Sequence, residues 1–439
     1  MRYRFILLIL LTLPCHFAKS QAVEKKEPLF NVKFSGMIKT DFIFDSRQTV
    51  NLREGSLLFY PEPVKPDAEG NDLNAKSNFN ILAVQTKLTL TATGPDAMGA
   101  KTSGLIEAEF FGNVNPNINV FRLRHAYIKL NWPKTELLIG QYWHPMYEAI
   151  CNPEVISADA GLPFKVYARN PQLRLSQNIG NLKVIFSAMT QIDFVSNGPD
   201  GPNPKYLRNS ILPELNFQLQ YLKKDDIKGT EFLVGASVDY LLLTPSLSSE
   251  IVLQKSIDSV KNGVVVHYDA ITATYQTNSH AQGISGTLFT KIKLPQITFK
   301  LGGVYSGNGY ALSMIGGYAV KSITDSNKRF VDYANIRTLA TWMDISTNGT
   351  KWQAGAFGGF SRNLGAGTEV IGPYFSRGSN IDYLYRISGR FIFIANKLRF
   401  GPEIEYTVAA YGQINEKGFV YNSKEVGNLR ILLGVVYFF

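Results

Sequence analysis

Cysteine is nearly absent from this 439-residue chain: there are two, Cys15 and Cys151. Cys15 lies in an N-terminal apolar stretch, so the mature chain would keep one thiol and could form no intramolecular disulfide. Charge is also sparse, at 18% of residues against roughly 25% in ordinary soluble domains. Beyond the N-terminus no apolar run approaches the roughly 18 residues of a spanning helix, which excludes a helical membrane bundle. Histidine is scarce as well. His125, His144, His267 and His280 are not spaced with Cys, Glu or a second His as metal ligands are. There is no G-x-S-x-G elbow and no Walker loop. No enzyme activity, cofactor or metal is expected, and His144, His267 and Cys151 read as solvated, ion-paired or packed side chains.

What the chain has is alternation. "NVKFSGMIKTDF" puts Val32, Phe34, Ile38 and Phe42 on one face and Lys33, Ser35, Lys39 and Asp41 on the other. "ELNFQLQYL" sets Leu215, Phe217, Leu219 and Tyr221 against Asn216, Gln218 and Gln220. Period two with one apolar face is the mark of a half-buried strand. Sixteen such segments are predicted: 31–43, 80–93, 103–112, 121–132, 135–143, 164–178, 181–192, 213–224, 229–243, 282–293, 296–307, 336–348, 351–362, 380–394, 397–411 and 428–439. The links between them alternate long and short. The long ones are 44–79, 113–120, 144–163, 193–212, 244–281, 308–335, 363–379 and 412–427.

Long loops at one end and tight turns at the other are the layout of an all-β transmembrane antiparallel barrel, with short periplasmic turns and long extracellular loops. The segments are long enough to span at a tilt, and closure pairs every backbone group. Counting 264–276 and 310–320 as well gives eighteen strands as the alternative. The N-terminus fits. "MRYRFILLILLTLPC" followed by "HFAKSQA" reads as a secretory signal peptide cleaved after Ser20 or Ala22. The expected organisation is therefore a signal at 1–22 and one barrel domain at 23–439 in a bacterial outer membrane. Losing Arg2, Arg4 and Lys19 lowers the formal charge from +10 to +7. The remaining cations alternate with lipid-facing apolar positions, which does not suit nucleic acid. Trp132 and Trp352 beside short turns, and Trp143 at a long-loop end, are placed where an aromatic girdle belongs.

Alternation also assigns the inward face. It would carry Lys39, Lys87, Arg122, Arg124, Arg174, Arg386, Arg390 and Arg399, with Glu107, Glu109, Glu403 and Glu405 among the acids. Rings of Arg or Lys are the usual device of anion pores. Barrel interiors also pair Arg with Glu across strands simply to stay polar, and each position taken singly fits that too. Loop 144–163 is the candidate constriction. Its charges, Glu148, Glu154 and Asp159, are expected to face the Arg122–Arg124 ladder and set a field across an eyelet.

Several stretches resemble the DcaP-like outer-membrane porins in their Bacteroidetes-type version: "FRLRHAYIKLNW" (121–132), "LLIGQYWHPMYE" (137–148), "YARNPQLRLSQ" (167–177), "GPDGPNPKYLRNSILPELNFQLQY" (198–221) and "GGYAV" (316–320). The resemblance implies a 16-stranded porin, usually a homotrimer, that prefers anionic, dicarboxylate-like solutes. The terminal Phe439, after alternating aromatics, is similar to the signal read by barrel assembly machinery. The expected partners are small hydrophilic solutes, outer-membrane lipid and lipopolysaccharide. A plugged structural or adhesive barrel and a barrel enzyme are the competing functions.

Overall fold

The computed structural model describes residues 30–112, 115–261 and 264–439. The expected signal peptide lies outside them. Seventeen hydrogen-bonded segments form one antiparallel sheet that closes on itself. Two of them, Asn78–Leu82 and Lys87–Thr93, pair with the two halves of the same neighbouring strand and make one interrupted spanning strand. The barrel therefore has sixteen strands: β1 (Asn31–Asp45), β2 (the two segments just named), β3 (Lys101–Glu109), β4 (Arg122–Asn131), β5 (Thr135–Trp143), β6 (Arg169–Ile179), β7 (Leu182–Met189), β8 (Glu214–Asp225), β9 (Thr230–Leu243), β10 (Ala281–Lys293), β11 (Ile297–Ser306), β12 (Thr338–Thr347), β13 (Trp352–Asn363), β14 (Ile381–Ala395), β15 (Leu398–Ile414) and β16 (Val420–Phe438). Neither extra segment of the eighteen-strand alternative joins the wall. Ser248–Gln254 with Ile271–Gln276, and Ile257–Lys261 with Val264–Tyr268, form a ribbon within the fifth loop. Gly316–Asp325, Phe330–Ile336 and Tyr374–Arg377 form a separate three-stranded sheet from the sixth and seventh loops.

The outer wall shows why the strands alternate. Phe34, Ile106, Ile128, Phe186, Leu288, Ile387, Phe391 and Ile404 are all exposed large apolar side chains, a surface that lipid covers and water would not. Trp352 is exposed and packs on Phe393 at the short-turn end. Trp143 is not part of a girdle. It is buried in the lumen, stacked on Tyr147 with ring centroids 3.7 Å apart.

The seam joins the first strand to the last. Met37 to Asp45 of β1 lie opposite Phe438 to Arg430 of β16, and Phe439 exchanges backbone hydrogen bonds with Gly36. A Cβ on Gly36 would fall 2.5 Å from the Phe439 ring, so glycine makes room for the terminal aromatic. Inside the seam Arg430 binds Asp45 through Nε (2.9 Å) and Nη2 (2.8 Å).

Two boundaries shift the loops. β6 starts at Arg169, so the third loop runs to Ala168 rather than 163. β15 and β16 continue as a paired ribbon past the membrane, which reduces the expected eighth loop at 412–427 to 415–419.

Candidate channel and constriction

The third loop folds into the barrel. It opens with two 3-10 turns, Pro145–Tyr147 and Ala149–Cys151, joined through Glu148 in the left-handed region. It then crosses the lumen against β10 to β16 and β1. Wall side chains hold its tip at three points. Glu403 Oε2 accepts the backbone N–H of Ile156 (2.7 Å) and of Ser157 (3.0 Å). Lys39 donates to the Ile156 carbonyl (2.7 Å). Arg386 donates to Asp159 (2.6 Å) and to the Leu162 carbonyl (3.0 Å). Cys151 is buried and its thiol points to the Thr290 carbonyl (3.2 Å). Burial, with Glu148 next, pushes that thiol up to about 12, so it is packed and inert.

Two acids of this loop, Glu148 and Asp159, turn away from the arginine ladder, while Glu154 shares a cavity with Arg124. Glu148 accepts from the Thr287 hydroxyl on β10. Glu154 pairs with Lys300 on β11 at 2.7 Å, and Asp159 with Arg386 on β14. Of the three, Asp159 is the buried carboxylate whose guanidinium partner offsets the cost of leaving water.

The ladder itself is paired locally. Arg122 binds Glu109 (2.9 Å) and Asp193 (2.8 Å). Arg124 pairs with Glu107 and with Glu109 (2.9 Å), and Lys87 reaches Glu107 at 3.4 Å. A register shift between β3 and β4 sets Glu107 opposite His125 and Ala108 opposite Leu123, so Arg124 bulges out of the ladder. Two consecutive residues, Arg124 and His125, then turn inward, which simple alternation does not anticipate. Arg390 pairs with Asp344 in a buried contact (2.8 Å). Arg174 binds Gln172 (2.8 Å) and the Trp143 carbonyl (2.6 Å).

Three residues that sequence reasoning passed over complete the site. Arg169 at the start of β6 clamps Asp193 of the fourth loop through Nε (2.9 Å) and Nη2 (2.7 Å). Arg53 comes from the first loop, whose hairpin, Thr49–Leu52 with Leu57–Pro61, also folds inward. Leu57, Leu58, Phe59 and Tyr60 are all buried. Arg386 donates to the Leu58 carbonyl (2.9 Å) and the Tyr411 hydroxyl to the Pro61 carbonyl (2.7 Å). The hairpin tip carries Arg53 across the mouth to the Gly112 carbonyl (2.9 Å) and to within 3.7 Å of Asp193. The signal was "LLFYP", an unbroken apolar run inside an otherwise polar loop.

A cavity of about 380 Å³ remains between loop 3 and the wall of β1, β4, β15 and β16. Of the charges picked out from the sequence, Lys39, Arg124, Arg399 and Glu154 line it, along with Gln85 and Gln353. Arg399 also lies over the Phe438 ring at 4.8 Å.

One cluster has the composition of a metal site. His144, Glu214 and Asp239 are buried, with candidate ligand atoms all within 4.8 Å of one another. The His144 Nδ1 accepts the Met146 backbone N–H (3.1 Å), which leaves the ring proton on Nε2, 3.3 Å from Glu214 and 3.6 Å from Asp239. A metal would need that Nε2 lone pair. The arrangement instead pins the root of loop 3 to β8 and β9.

No known family matches the chain by sequence, and no curated protein does. Solved structures match it in shape. The outer-membrane channel DcaP of Acinetobacter baumannii superposes with a TM-score of 0.62 over 93% of this chain and 97% of that one, at 15% identity. This chain has the DcaP-like porin fold. An anion-selective porin from Comamonas acidovorans follows the DcaP-like path less closely, with a TM-score of 0.53 at 10% identity over 94% and 100% of the two chains. OmpT, an outer membrane protein of Vibrio cholerae, reaches 0.50 at 9% identity over 96% and 99%. The DcaP-like barrel, with its closed sheet and apolar outer belt, is a transmembrane protein of the bacterial outer membrane.

Proposed function

We propose that the protein is a passive diffusion channel for small hydrophilic anions of carboxylate type. The observation that carries this is the cavity beside loop 3. It lies between loop 3 and the wall, and it sets three cations, Lys39, Arg124 and Arg399, against one carboxylate, Glu154. Low-dielectric walls focus such a field and concentrate counter-ions. The excess continues behind it, where Lys87, Arg53, Arg122, Arg124 and Arg169 surround Glu107, Glu109 and Asp193. The likeness to an anion-selective porin agrees with this reading. Homotrimeric assembly in a lipopolysaccharide-bearing leaflet, and the absence of any catalytic role, belong to the same proposal.

A second reading has its own support. Loops 1 and 3 both fold inward, and the sixth loop closes over loop 3 through Leu312 and Ser313 at Tyr167. That much filling suits a plugged structural or adhesive barrel. Planar-bilayer recording of the mature protein across a salt gradient separates the two. Discrete conductance steps with a reversal potential toward chloride are expected. Steps that reverse toward potassium would overturn the anionic assignment, and folded barrels without conductance would leave the plugged reading.

A further inference from the structure

We propose that Asp193 is a tethered counter-anion seated in a carboxylate-binding cage of Arg53, Arg122 and Arg169, and that permeant carboxylates compete with it for that cage. The inference rests on the channel reading above and names the place where a solute carboxylate would be held.

The cage already contains the group it fits. Asp193 Oδ2 takes Nε (2.9 Å) and Nη2 (2.7 Å) of Arg169, and Oδ1 takes Nη1 of Arg122 (2.8 Å) with Arg53 Nη2 at 3.7 Å. Charge-assisted guanidinium donors thus engage both carboxylate oxygens, Arg169 on one and Arg122 on the other. The binding partners differ in how firmly they are held. Arg122 and Arg169 stand on β4 and β6, whereas Asp193 stands on the fourth loop, outside the hydrogen-bonded wall. The carboxylate can therefore move away from Arg122 and Arg169 without disturbing a wall strand.

The cage is also underfilled. Among the described residues, Nη1 of Arg53 and Nη1 of Arg169 have no acceptor, although Arg53 is 2% exposed and Arg169 fully buried. Buried guanidinium donors without acceptors are costly, and a second carboxylate oxygen pair would satisfy them. Charge points the same way. The linked group holds five cations, Lys87, Arg53, Arg122, Arg124 and Arg169, against three carboxylates, Glu107, Glu109 and Asp193. The cavity stops at the Trp143 ring, and the cage lies on the other side of it, so a solute meets the cage only when that ring moves. Arg124, which lines the cavity, and Arg169, which holds Asp193, each lie 4.9 Å from the Trp143 ring centroid.

The tip that delivers Arg53 is strained. Arg53 (φ 59°), Glu54 (φ 54°) and Gly55 (φ 91°) are all left-handed, a conformation that two non-glycine residues in a row keep only when their surroundings hold them. The Arg53 contact to Asp193 is the longest in the cage, so this arginine does least to hold Asp193 while keeping a spare donor.

The test uses the mature protein in planar bilayers, with chloride current measured as potassium succinate is added. Folding is checked by heat-modifiable gel mobility. The Asp193→Asn variant keeps the shape of the side chain and removes the resident charge. Its half-blocking succinate concentration should fall roughly tenfold as the internal competitor is lost. Asp193→Glu, which retains the charge, should stay within about twofold of wild type. Arg53→Gln should weaken block roughly tenfold by removing the spare donor, and it serves as the deciding variant if Asp193→Asn does not fold. Unchanged block in folded Asp193→Asn, or in Arg53→Gln, overturns the cage. A Glu variant that behaves like Asn also overturns it, since charge would then not be the cause. Wild-type barrels that never conduct overturn the channel reading, and the cage with it. Conduction with block indifferent to these variants overturns the cage alone.

Discussion

Gly401 and Gly434 are directly paired across β15 and β16, and together they form the seat of Ile156 at the tip of loop 3. A Cβ on Gly401 would lie 2.5 Å from the Ile156 side chain, and one on Gly434 2.6 Å from it. The two missing side chains let the loop lie against the wall. Gly434→Val should therefore lift the tip, leaving the barrel intact but changing single-channel conductance and raising current noise. Conductance and noise identical to wild type would mean the tip is placed by its polar contacts alone.

Those polar contacts have their own test. Glu403 accepts two backbone N–H groups with one oxygen and the Ser388 hydroxyl (2.7 Å) with the other. Glu403→Gln removes the charge and turns one acceptor into a donor. The loss should be about 1–3 kcal/mol, read as a lower thermal midpoint of the folded barrel, with Glu403→Ala costing more. A midpoint unchanged in both variants would show that the clamp is idle.

Loop 3 should respond to pH through Glu148. Burial pushes its carboxyl up to about 7, while Lys165 and the Thr287 hydroxyl pull the other way. A carboxyl raised in the fold favours the folded, protonated form. Its stabilising contribution is complete below the ordinary value of 4.5 and is lost as pH rises through about 7. The size is about 3 kcal/mol at most. Burial also lowers the Lys165 ammonium to about 8, so the pair is charged together only in the narrow interval between. Current noise from loop movement should rise as pH climbs through neutrality, and Glu148→Gln should remove that dependence. Noise that is flat with pH in the wild type would argue that the loop is held regardless of this group.

The arginines of β4 should set selectivity. Replacing Arg122 and Arg124 together by alanine leaves Glu107 with Lys87 and Glu109 with the more distant Arg169 (3.7 Å). Reversal potentials should move toward potassium, the more so at low salt where screening is weak. An unmoved reversal potential would remove these residues from the permeation path.

The wall of the barrel was legible because each spanning strand has lipid on one side and polar groups on the other, so period two survives in the sequence. The expectation that loop 144–163 folds inward rests on likeness to 16-stranded porins and not on its own residues. What alternation could not give was anything decided by contacts between distant parts of the chain. Arg124 and His125 share a face because of a bulge, and a strict two-residue rule assigns them to opposite faces. Glu154 and Asp159 meet Lys300 and Arg386, partners more than a hundred residues away. Trp143 sits at the height of a girdle yet turns inward to stack on Tyr147, because the loop behind it needs a packed floor. Arg53 was hidden in a surface-like loop, and only the run Leu57–Pro61 hinted that the hairpin would be buried.

The buried pair between Asp45 and Arg430 has a meaning for biogenesis. A barrel seam is the one joint whose two sides are made at opposite ends of translation, and backbone hydrogen bonding alone would accept neighbouring alignments nearly as well. A slip of two residues keeps every side chain on its proper face but sets Arg430 against Ile43, which is itself buried. Asp45 would then lose its guanidinium partner, a penalty of about 1–3 kcal/mol, although Arg430 would keep Glu405 opposite it on β15. The ion pair thus favours the native alignment at closure over one that hydrophobicity alone could not distinguish from it.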